Sequence, residues 1–270
     1  MDRYAVIGNP VEHSRSPDIH TAFAEQTGQT LRYERILCEE KDFAATVDRF
    51  RSDGGKGLNV TLPFKLGALE YCDEVSERAR LAGAVNTISF RDGRALGDNT
   101  DGAGLVRDLT DNLGVALAGK VIVLLGAGGA ARGAIKPLLD CGPAELVLSN
   151  RNPWKPEVLA EEFRKYGPIR ACTHRALKGD HVDVLINATS AGHAGETLPL
   201  PHDLLGEGAV CYDMSYGNAA RPFLDWARAH GANSSADGIG MLVEQAAESF
   251  EIWRGLRPET AEIRKRLQSA

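Results

Sequence analysis

The sequence predicts an α/β fold, in two domains or one large one, on three observations. Short apolar runs alternate with amphipathic stretches along the chain, which argues for strands interleaved with helices. Residues 121–125, "VIVLL", are wholly apolar, as befits a parallel strand buried on both faces, and lead into "GAGGAA" at 126–131. The chain has 270 residues, 43% hydrophobic and 25% charged, enough for two cores. No internal repeat, low-complexity segment or long linker interrupts it.

The elements follow in order. "YAVIG" at 4–8 reads as a strand. Ser16, Pro17 and Asp18 open a helix, with Ser16 expected as N-cap and Pro17 at the first helical position. Ile19, Ala22 and Phe23 share a face, and Gly28 ends the helix. "LRYERILC" predicts a second strand and "DFAATVDRF" a second helix. In "LNVTLPFK", Leu58, Val60 and Leu62 alternate with Asn59 and Thr61, so a strand is expected up to Pro63, which cannot donate to a ladder. Lys65 follows. "AVNTISFRDGRALG" predicts a hairpin about Asp92 and Gly93.

From residue 102, "GAGLVRDLTDNLG" predicts a helix leading to a second series. Its strands are "KVIVLLG", "ELVLSN", "VDVLINA" and "AVCYDM", the first followed by a helix ending near Cys141 and Gly142. After "SSADGIG", a long amphipathic helix is expected from about Met241 to Arg254, then one last helix. A break between the two series is expected near residue 102.

Charge and cysteines exclude several classes. Lys and Arg number 31 against 37 Asp and Glu, a formal charge of -6. No basic footprint for nucleic acid and no polybasic run for a membrane surface are present. The longest apolar run, 121–131, is broken by glycines and too short to span a bilayer. "MDRYAVIGNP" is too short and polar for a secretory signal. Cys38, Cys72, Cys141, Cys172 and Cys211 are odd in number and contain no CxxC. They read as reduced thiols, and a cytoplasmic location is expected. No metal site is expected.

Gly126, Gly128 and Ala131 fit G-x-G-x-x-A between a strand and a helix, the context in which glycines let a pyrophosphate approach a helix N-terminus. The next strand ends without the acid that bonds a ribose 2′-hydroxyl. Asn150, Arg151 and, nearby, Lys155 stand there instead. A guanidinium binds a 2′-phosphate that a carboxylate would repel. The expected cofactor is NADP(H); the plainer alternative makes Arg151 and Lys155 surface charges.

Polar residues cluster outside this unit. Ser14 and Ser16 at a helix start suit a carboxylate, or Ser16 is only a cap. Asn59, Thr61, Asn86, Asn99, Thr100 and Asp101 are polar groups in or beside strands that need partners, and several together suit a polyhydroxylated ligand. Lys65 is a solvated surface lysine or, with Asp101, an acid–base pair serving a carbonyl that receives hydride. Asp101 could equally cap the helix after it.

The motifs "GNPVEHSRSP", "GLNVTLPFK", "LAGAVNT", "GDNTDG", "GAGGAARG", "SNR", "NATSAG", "CYDMSY" and "ADGIGMLVEQAA" together resemble the shikimate dehydrogenase family. They run in the family's order from near residue 7 to residue 247. The resemblance implies an N-terminal α/β substrate domain with a mixed sheet, 1–101 completed by C-terminal helices in 238–270, a Rossmann-like NADP-binding domain, 102–237, and a cleft between them. It implies reduction of 3-dehydroshikimate to shikimate with NADPH, in aromatic amino-acid biosynthesis, by a monomer or homodimer.

On the matching positions, Lys65 and Asp101 are the catalytic pair. Ser14, Ser16 and Tyr216 take the carboxylate region of the substrate, and Thr61, Asn86 and Gln245 its hydroxyls, with Asn59 beside them. Gly126, Ala127, Gly128, Gly129, Ala130, Asn150, Arg151, Thr189, Met214 and Gly238 lie around NADP, with Glu77 toward its nicotinamide end. The chain departs from the pattern after "NR". Asn152, Pro153, Trp154 and Lys155 stand where the family commonly carries Thr and a further Arg, so one 2′-phosphate contact is expected to be weaker or to be supplied by Lys155. His193 replaces a usual apolar residue.

Three rivals stand beside this reading. A shikimate/quinate dehydrogenase with dual or NAD preference is opposed by the missing acid. A non-catalytic NADP sensor is opposed by the intact polar set. A methylene-tetrahydrofolate dehydrogenase is opposed by "SRSP" and "NTDG".

Overall fold

The computed structural model describes residues 1–177 and 181–269. The chain divides into two compact units, Met1–Gly104 with Leu242–Ala270, and Leu105–Met241. Each is an α/β unit built on a six-stranded sheet.

The first unit holds strands β1 (Asp2–Gly8), β2 (Leu31–Leu37), β3 (Gly55–Val60), β4 (Glu74–Val75), β5 (Thr87–Arg91) and β6 (Arg94–Asp98). They lie in the order β2-β1-β3-β5-β6-β4. β1 pairs in parallel with β2 and β3, while β5 runs antiparallel to β3 and β6, so the sheet is mixed. Asp92 and Gly93 both adopt positive φ in the β5–β6 turn, 50° and 73°, the conformation a two-residue hairpin of matching twist requires.

Helices α1 (Ser16–Thr27), α2 (Phe43–Ser52), α3 (Lys65–Tyr71) and α4 (Glu77–Ala82) belong to this unit. Both faces of the sheet are covered. Ala5, Ile7, Leu58 and Val60 join Phe43, Val47, Phe50 and Phe64 in one core cluster. Tyr4 and Val6, pointing the other way by strand periodicity, pack with Tyr33 and Trp253.

Two expectations are corrected here. Ser16 is not the N-cap of α1: the cap position is Arg15, and Ser16 is the first helical residue. Its N–H instead donates to Ser14 Oγ at 3.3 Å. β3 stops at Val60 rather than continuing to Leu62: the Thr61 N–H makes the last ladder bond, to the Ile7 carbonyl, and the Thr61 carbonyl then closes a turn by accepting from the Phe64 N–H.

The second unit is a parallel sheet of β7 (Val121–Leu125), β8 (Glu145–Asn150), β9 (Ile169–Thr173), β10 (Val182–Asn187), β11 (Leu205–Asp213) and β12 (Ser234–Ala236). The order is β12-β11-β10-β7-β8-β9, with every pairing parallel. This is the doubly wound Rossmann arrangement, whose strand order reverses between β7 and β10. Its helices are α6 (Gly129–Asp140), α7 (Trp154–Phe163) and α8 (Arg221–Ala229). Val123, Leu125, Val147, Leu185 and Cys211 build the core with Phe223 and Ala227 of α8.

β9 and α8 have no counterpart in the expectation. β9 is a half-buried edge strand without an apolar run. Helices α5 (Asp101–Arg107, continued as a π-helical turn to Asn112) and α9 (Ile239–Arg254) each contain a boundary between the units, and α10 (Ala261–Gln268) ends the chain.

Candidate active site

In the first unit the strand register gathers polar residues at one sheet edge. Ile7 is level with Val60, Asn59 with Thr87, and Thr87 with Asp98. The segments beyond these positions therefore share an edge: Ser14 and Ser16 after β1, Thr61 and Lys65 after β3, Asn86 before β5, and Asn99 to Asp101 after β6. Gly8 is required there, since a Cβ would overlap the Thr61 methyl.

Lys65 opens α3 and Asp101 opens α5, and Lys65 Nζ donates to Asp101 Oδ2 at 2.5 Å. The side chains are 30% and 18% exposed, so the pair is screened but reachable from solvent. The Lys65 carbonyl accepts the Val85 N–H, tying the start of α3 to the segment that carries Asn86.

Asn86 Nδ2 donates to the second carboxylate oxygen, Asp101 Oδ1, at 2.8 Å and to Thr100 Oγ1 at 2.9 Å. Its own Oδ1 accepts from the Thr100 N–H. Gln245, on α9, brings Oε1 to 3.4 Å from both Asn86 Nδ2 and Thr100 Oγ1. Lys65, Asp101, Asn86, Thr100 and Gln245 thus form one hydrogen-bonded cluster.

Asn59 lies under this cluster. By the strand's alternation its side chain points away from the Leu58 and Val60 core. It accepts from Tyr33 Oη at 2.7 Å and donates to Ser249 Oγ at 3.0 Å. Thr87 Oγ1 and the Asn86 carbonyl take the amide as well. With 6% exposure and its groups committed, Asn59 supports the residues above it.

In the second unit Leu125, Asn150, Asn187 and Asp213 end neighbouring parallel strands, so the loops that follow, the first opening with Gly126, lie at one edge. Gly126 has φ +109° and lies against Ala188 and Thr189, 3.1 to 3.3 Å from where its Cβ would be. No side chain with a Cβ fits that approach at that φ. Gly128 and Gly129 open on free space, a Cβ at either meeting nothing within 4 Å. α6 begins there, presenting unpaired N–H groups and the positive end of its dipole.

Ala127, Gly128 and Gly129 line a groove of about 300 Å³ with Arg132, Trp154 and Lys155. Ala130 is exposed in the first turn of α6, and Arg151, Asn152 and Lys155 are exposed after β8. The Asn150 side chain accepts the Arg151 N–H. An anionic dinucleotide with an added phosphate fits this donor set: open glycines, a helix N-terminus, two exposed cations and no carboxylate at the end of β8.

Two residues that sequence reasoning passed over organise this edge. Asn187 Nδ2 donates to Asp213 Oδ2 at 2.7 Å, while Asn187 Oδ1 accepts from Thr189 N and Oγ1. Asp213 Oδ1 accepts the Ser215 N–H, and Gly238, where a Cβ would overlap the Met214 carbonyl, donates to the Ser215 carbonyl. Asp213 is fully buried, and burial pushes its carboxyl up to about 6 against the hydrogen bonds that stabilise its charge. The available signal was an acid ending an apolar strand inside "CYDMSY".

Not every expected residue joins these groups. Tyr216 belongs to the second unit and is 40% exposed. Glu77 is exposed on α4, and His193 is exposed on the loop after β10. Among the described residues, no group of three His, Cys, Asp or Glu is placed to hold a metal, and no helix is long and apolar enough to cross a membrane.

Comparison with known proteins follows the same division. Residues 6–88 match the model of the shikimate dehydrogenase substrate-binding domain, 108–195 that of shikimate/quinate 5-dehydrogenase, and 238–268 that of the shikimate 5'-dehydrogenase C-terminal domain. The chain is 55% identical over 97% of its length, and of the relative's, to a shikimate dehydrogenase (NADP(+)) of Alkalilimnicola ehrlichii.

The chain belongs to the shikimate dehydrogenase family.

Two solved structures share its fold. The Thermus thermophilus shikimate 5-dehydrogenase, in complex with NADP(H) and shikimate, superposes with a TM-score of 0.85 at 34% identity, over 98% of each chain. An Ael1 enzyme from Pseudomonas putida superposes with a TM-score of 0.95 at 48% identity, over 99% of this chain and 98% of that one.

Proposed function

We propose that this chain catalyses the reversible NADP(H)-dependent reduction of 3-dehydroshikimate to shikimate, in the shikimate pathway of chorismate and aromatic amino-acid biosynthesis. The observation that carries the reading is the 2.5 Å pair of Lys65 and Asp101 inside a cluster of amide and hydroxyl groups, in a chain so similar to shikimate dehydrogenases (NADP(+)). Met1–Gly104 with Leu242–Ala270 acts as the substrate unit and Leu105–Met241 as the cofactor unit.

Bound NADP(H) supplies or takes up the hydride. Lys65, as an ammonium, donates a proton to the oxygen that develops at the reduced carbonyl; in the reverse direction its amine takes the proton back. Asp101 Oδ2 orients that amine, and Asn86 Nδ2 on Oδ1 keeps the carboxylate from turning. Thr61, Asn86 and Gln245 hydrogen-bond the ring hydroxyls. Ser14, Ser16 and the first N–H groups of α1 take the carboxylate, and Tyr216 is added from the family pattern alone.

On the cofactor side, Gly126 to Ala130 and the start of α6 receive the pyrophosphate. Asn150, Arg151, Asn152 and Lys155 receive the 2′-phosphate. Thr189, Met214 and Gly238 line the remainder, with Glu77 assigned to the nicotinamide end by the family pattern. The free thiols support a cytoplasmic location, and the protein acts as a monomer or homodimer.

The test is direct. Purified protein is mixed with shikimate, or quinate, and with NADP+ or NAD+, and reduced-cofactor absorbance is followed. Turnover confined to shikimate with NADP+ is expected. Equal rates with quinate or NAD+ would move the chain to the dual-specificity members of the superfamily, and cofactor binding without turnover would revive the sensor reading.

A further inference from the structure

The Arg78 guanidinium bonds Asp98 and Glu248, neither of them assigned to substrate or cofactor, and so joins the two segments that carry Asp101 and Gln245. Its Nε donates to Asp98 Oδ1 at 2.7 Å and its Nη2 to Asp98 Oδ2 at 2.9 Å, a bidentate fork. Its Nη1 donates to Glu248 Oε1 at 2.8 Å. Asp98 ends β6, three residues before Asp101. Glu248 lies on α9, three residues after Gln245 and next to Ser249.

Both ends are anchored further. Asp98 Oδ1 also accepts from Ser76 Oγ and from the Asn99 N–H, at 2.5 and 2.7 Å. Asn99 holds the next step of the turn: its Oδ1 accepts the Asp101 N–H and its Nδ2 donates to the Ala84 carbonyl. On α9, Arg257 bridges Glu248 and Glu244 at 2.8 Å each, and Thr260 donates to the other Glu244 oxygen. Gln245 is therefore bracketed by two tethered carboxylates.

We infer that Arg78 is a positioning residue: it sets the spacing between the Asp98–Asp101 turn and the Gln245 turn of α9, and so the geometry in which Asp101 and Gln245 meet the substrate. The guanidinium suits this task because its donors are fixed in one plane and address two carboxylates at once, which a lysine cannot do. Burial alone would raise the Asp98 carboxyl; the Arg78 fork, the Ser76 hydroxyl and the Asn99 N–H together hold it below the usual range. The clamp is thus charged on both sides at neutral pH. The inference rests on the proposed reaction, in which Asp101 and Gln245 both serve the substrate.

The test uses the full chain with shikimate and NADP+. Arg78→Met is expected to raise the shikimate KM and lower kcat, about 10- to 100-fold in kcat/KM, the range of small misplacements of catalytic groups. The Kd for NADP+ alone is expected to stay within about twofold of wild type, since a shift of that size is below 0.5 kcal/mol. Arg78→Lys recovers little. Glu248→Gln, which keeps the side-chain shape and takes the charge from the α9 end of the clamp and from its Arg257 contact, raises the shikimate KM in the same direction and serves if Arg78→Met does not fold.

Unchanged shikimate KM and kcat in a folded Arg78→Met or Glu248→Gln protein would overturn the inference. So would a parallel loss of NADP+ affinity, which a general loosening of the chain would produce. Wild-type protein is assayed alongside. If it fails to oxidise shikimate, the underlying reaction is overturned and the inference with it; if it turns over while the variants match it, only the inference falls.

Discussion

Asp101 receives Lys65 Nζ on Oδ2 and Asn86 Nδ2 on Oδ1, at 2.5 and 2.8 Å, so each carboxylate oxygen has its own donor. The carboxylate is oriented before any ligand arrives. A group held in this way adds little reorganisation cost when charge moves in the reaction.

Removing the amine tests the assignment of Lys65. Lys65→Met keeps the apolar stem and deletes the proton donor. Shikimate turnover is expected to fall by about 10²- to 10⁴-fold, the usual contribution of a positioned acid or base. NADP+ affinity, measured by titration without substrate, should be nearly unchanged. Near-wild-type turnover would remove Lys65 from the chemistry.

Arg151 is the test of cofactor choice. It is exposed beside Asn150, with no acid at the end of β8. Arg151→Ser removes a charge-assisted contact to the 2′-phosphate, so the NADP+ KM should rise by about tenfold or more, as loss of such a bond at about 1.5–3 kcal/mol implies. The NAD+ KM should hardly move, because NAD+ lacks that phosphate. An unchanged NADP+ KM would make Arg151 a surface charge.

Asp213 predicts a pH effect on cofactor binding. In the folded chain its carboxyl is raised to about 6, above its ordinary 3.8. Between those values the native state holds a proton the unfolded chain lacks, so this group's contribution to stability grows as pH falls through the window. The same proton must sit on an oxygen that now accepts from Asn187 or Ser215. It therefore loosens the Asn187 amide that fixes Thr189. NADP+ affinity should weaken below about pH 6 in the wild type. The 2′-phosphate titrates in the same range, so Asp213→Asn provides the reference. Superimposable pH profiles for the two proteins would refute the role.

Asn59 separates support from contact. Asn59→Leu keeps the branched shape but leaves Tyr33 Oη without the oxygen it donates to, while Thr87 Oγ1 and Ser249 Oγ lose the amide and keep each other. A loss of about 1–3 kcal/mol in unfolding free energy is expected, the cost of a buried donor left without its partner. Urea unfolding measures it. A change within about 0.5 kcal/mol, the size typical of surface positions, would show that the network contributes no stability.

Much of this fold was legible because its signals are local. β7 is five consecutive apolar residues followed by glycines, and the Asp92–Gly93 pair has the φ preferences of its turn. Periodicity also placed α9 within about two residues of its observed start. β9 was not legible, since "IRACT" at a sheet edge is half-buried and needs no apolar run. Ser16 was misplaced by one position because the hydroxyl that accepts at the start of α1 is that of Ser14.

The sequence by itself determined the two-unit α/β plan, the glycine loop with its helix, and a set of polar residue types too rich for surface chance. Those follow from backbone preferences and hydrophobic period, which act over a few residues. Only the tertiary structure decided which of these groups meet: that Lys65 reaches Asp101 across 36 residues, that Asn59 is consumed by Tyr33 and Ser249, and that Arg78, forked on Asp98, reaches Glu248 across 170. Such contacts depend on strand register and on the return of the C-terminal helices to the first sheet. No local preference encodes either, because both come from burying distant apolar faces together.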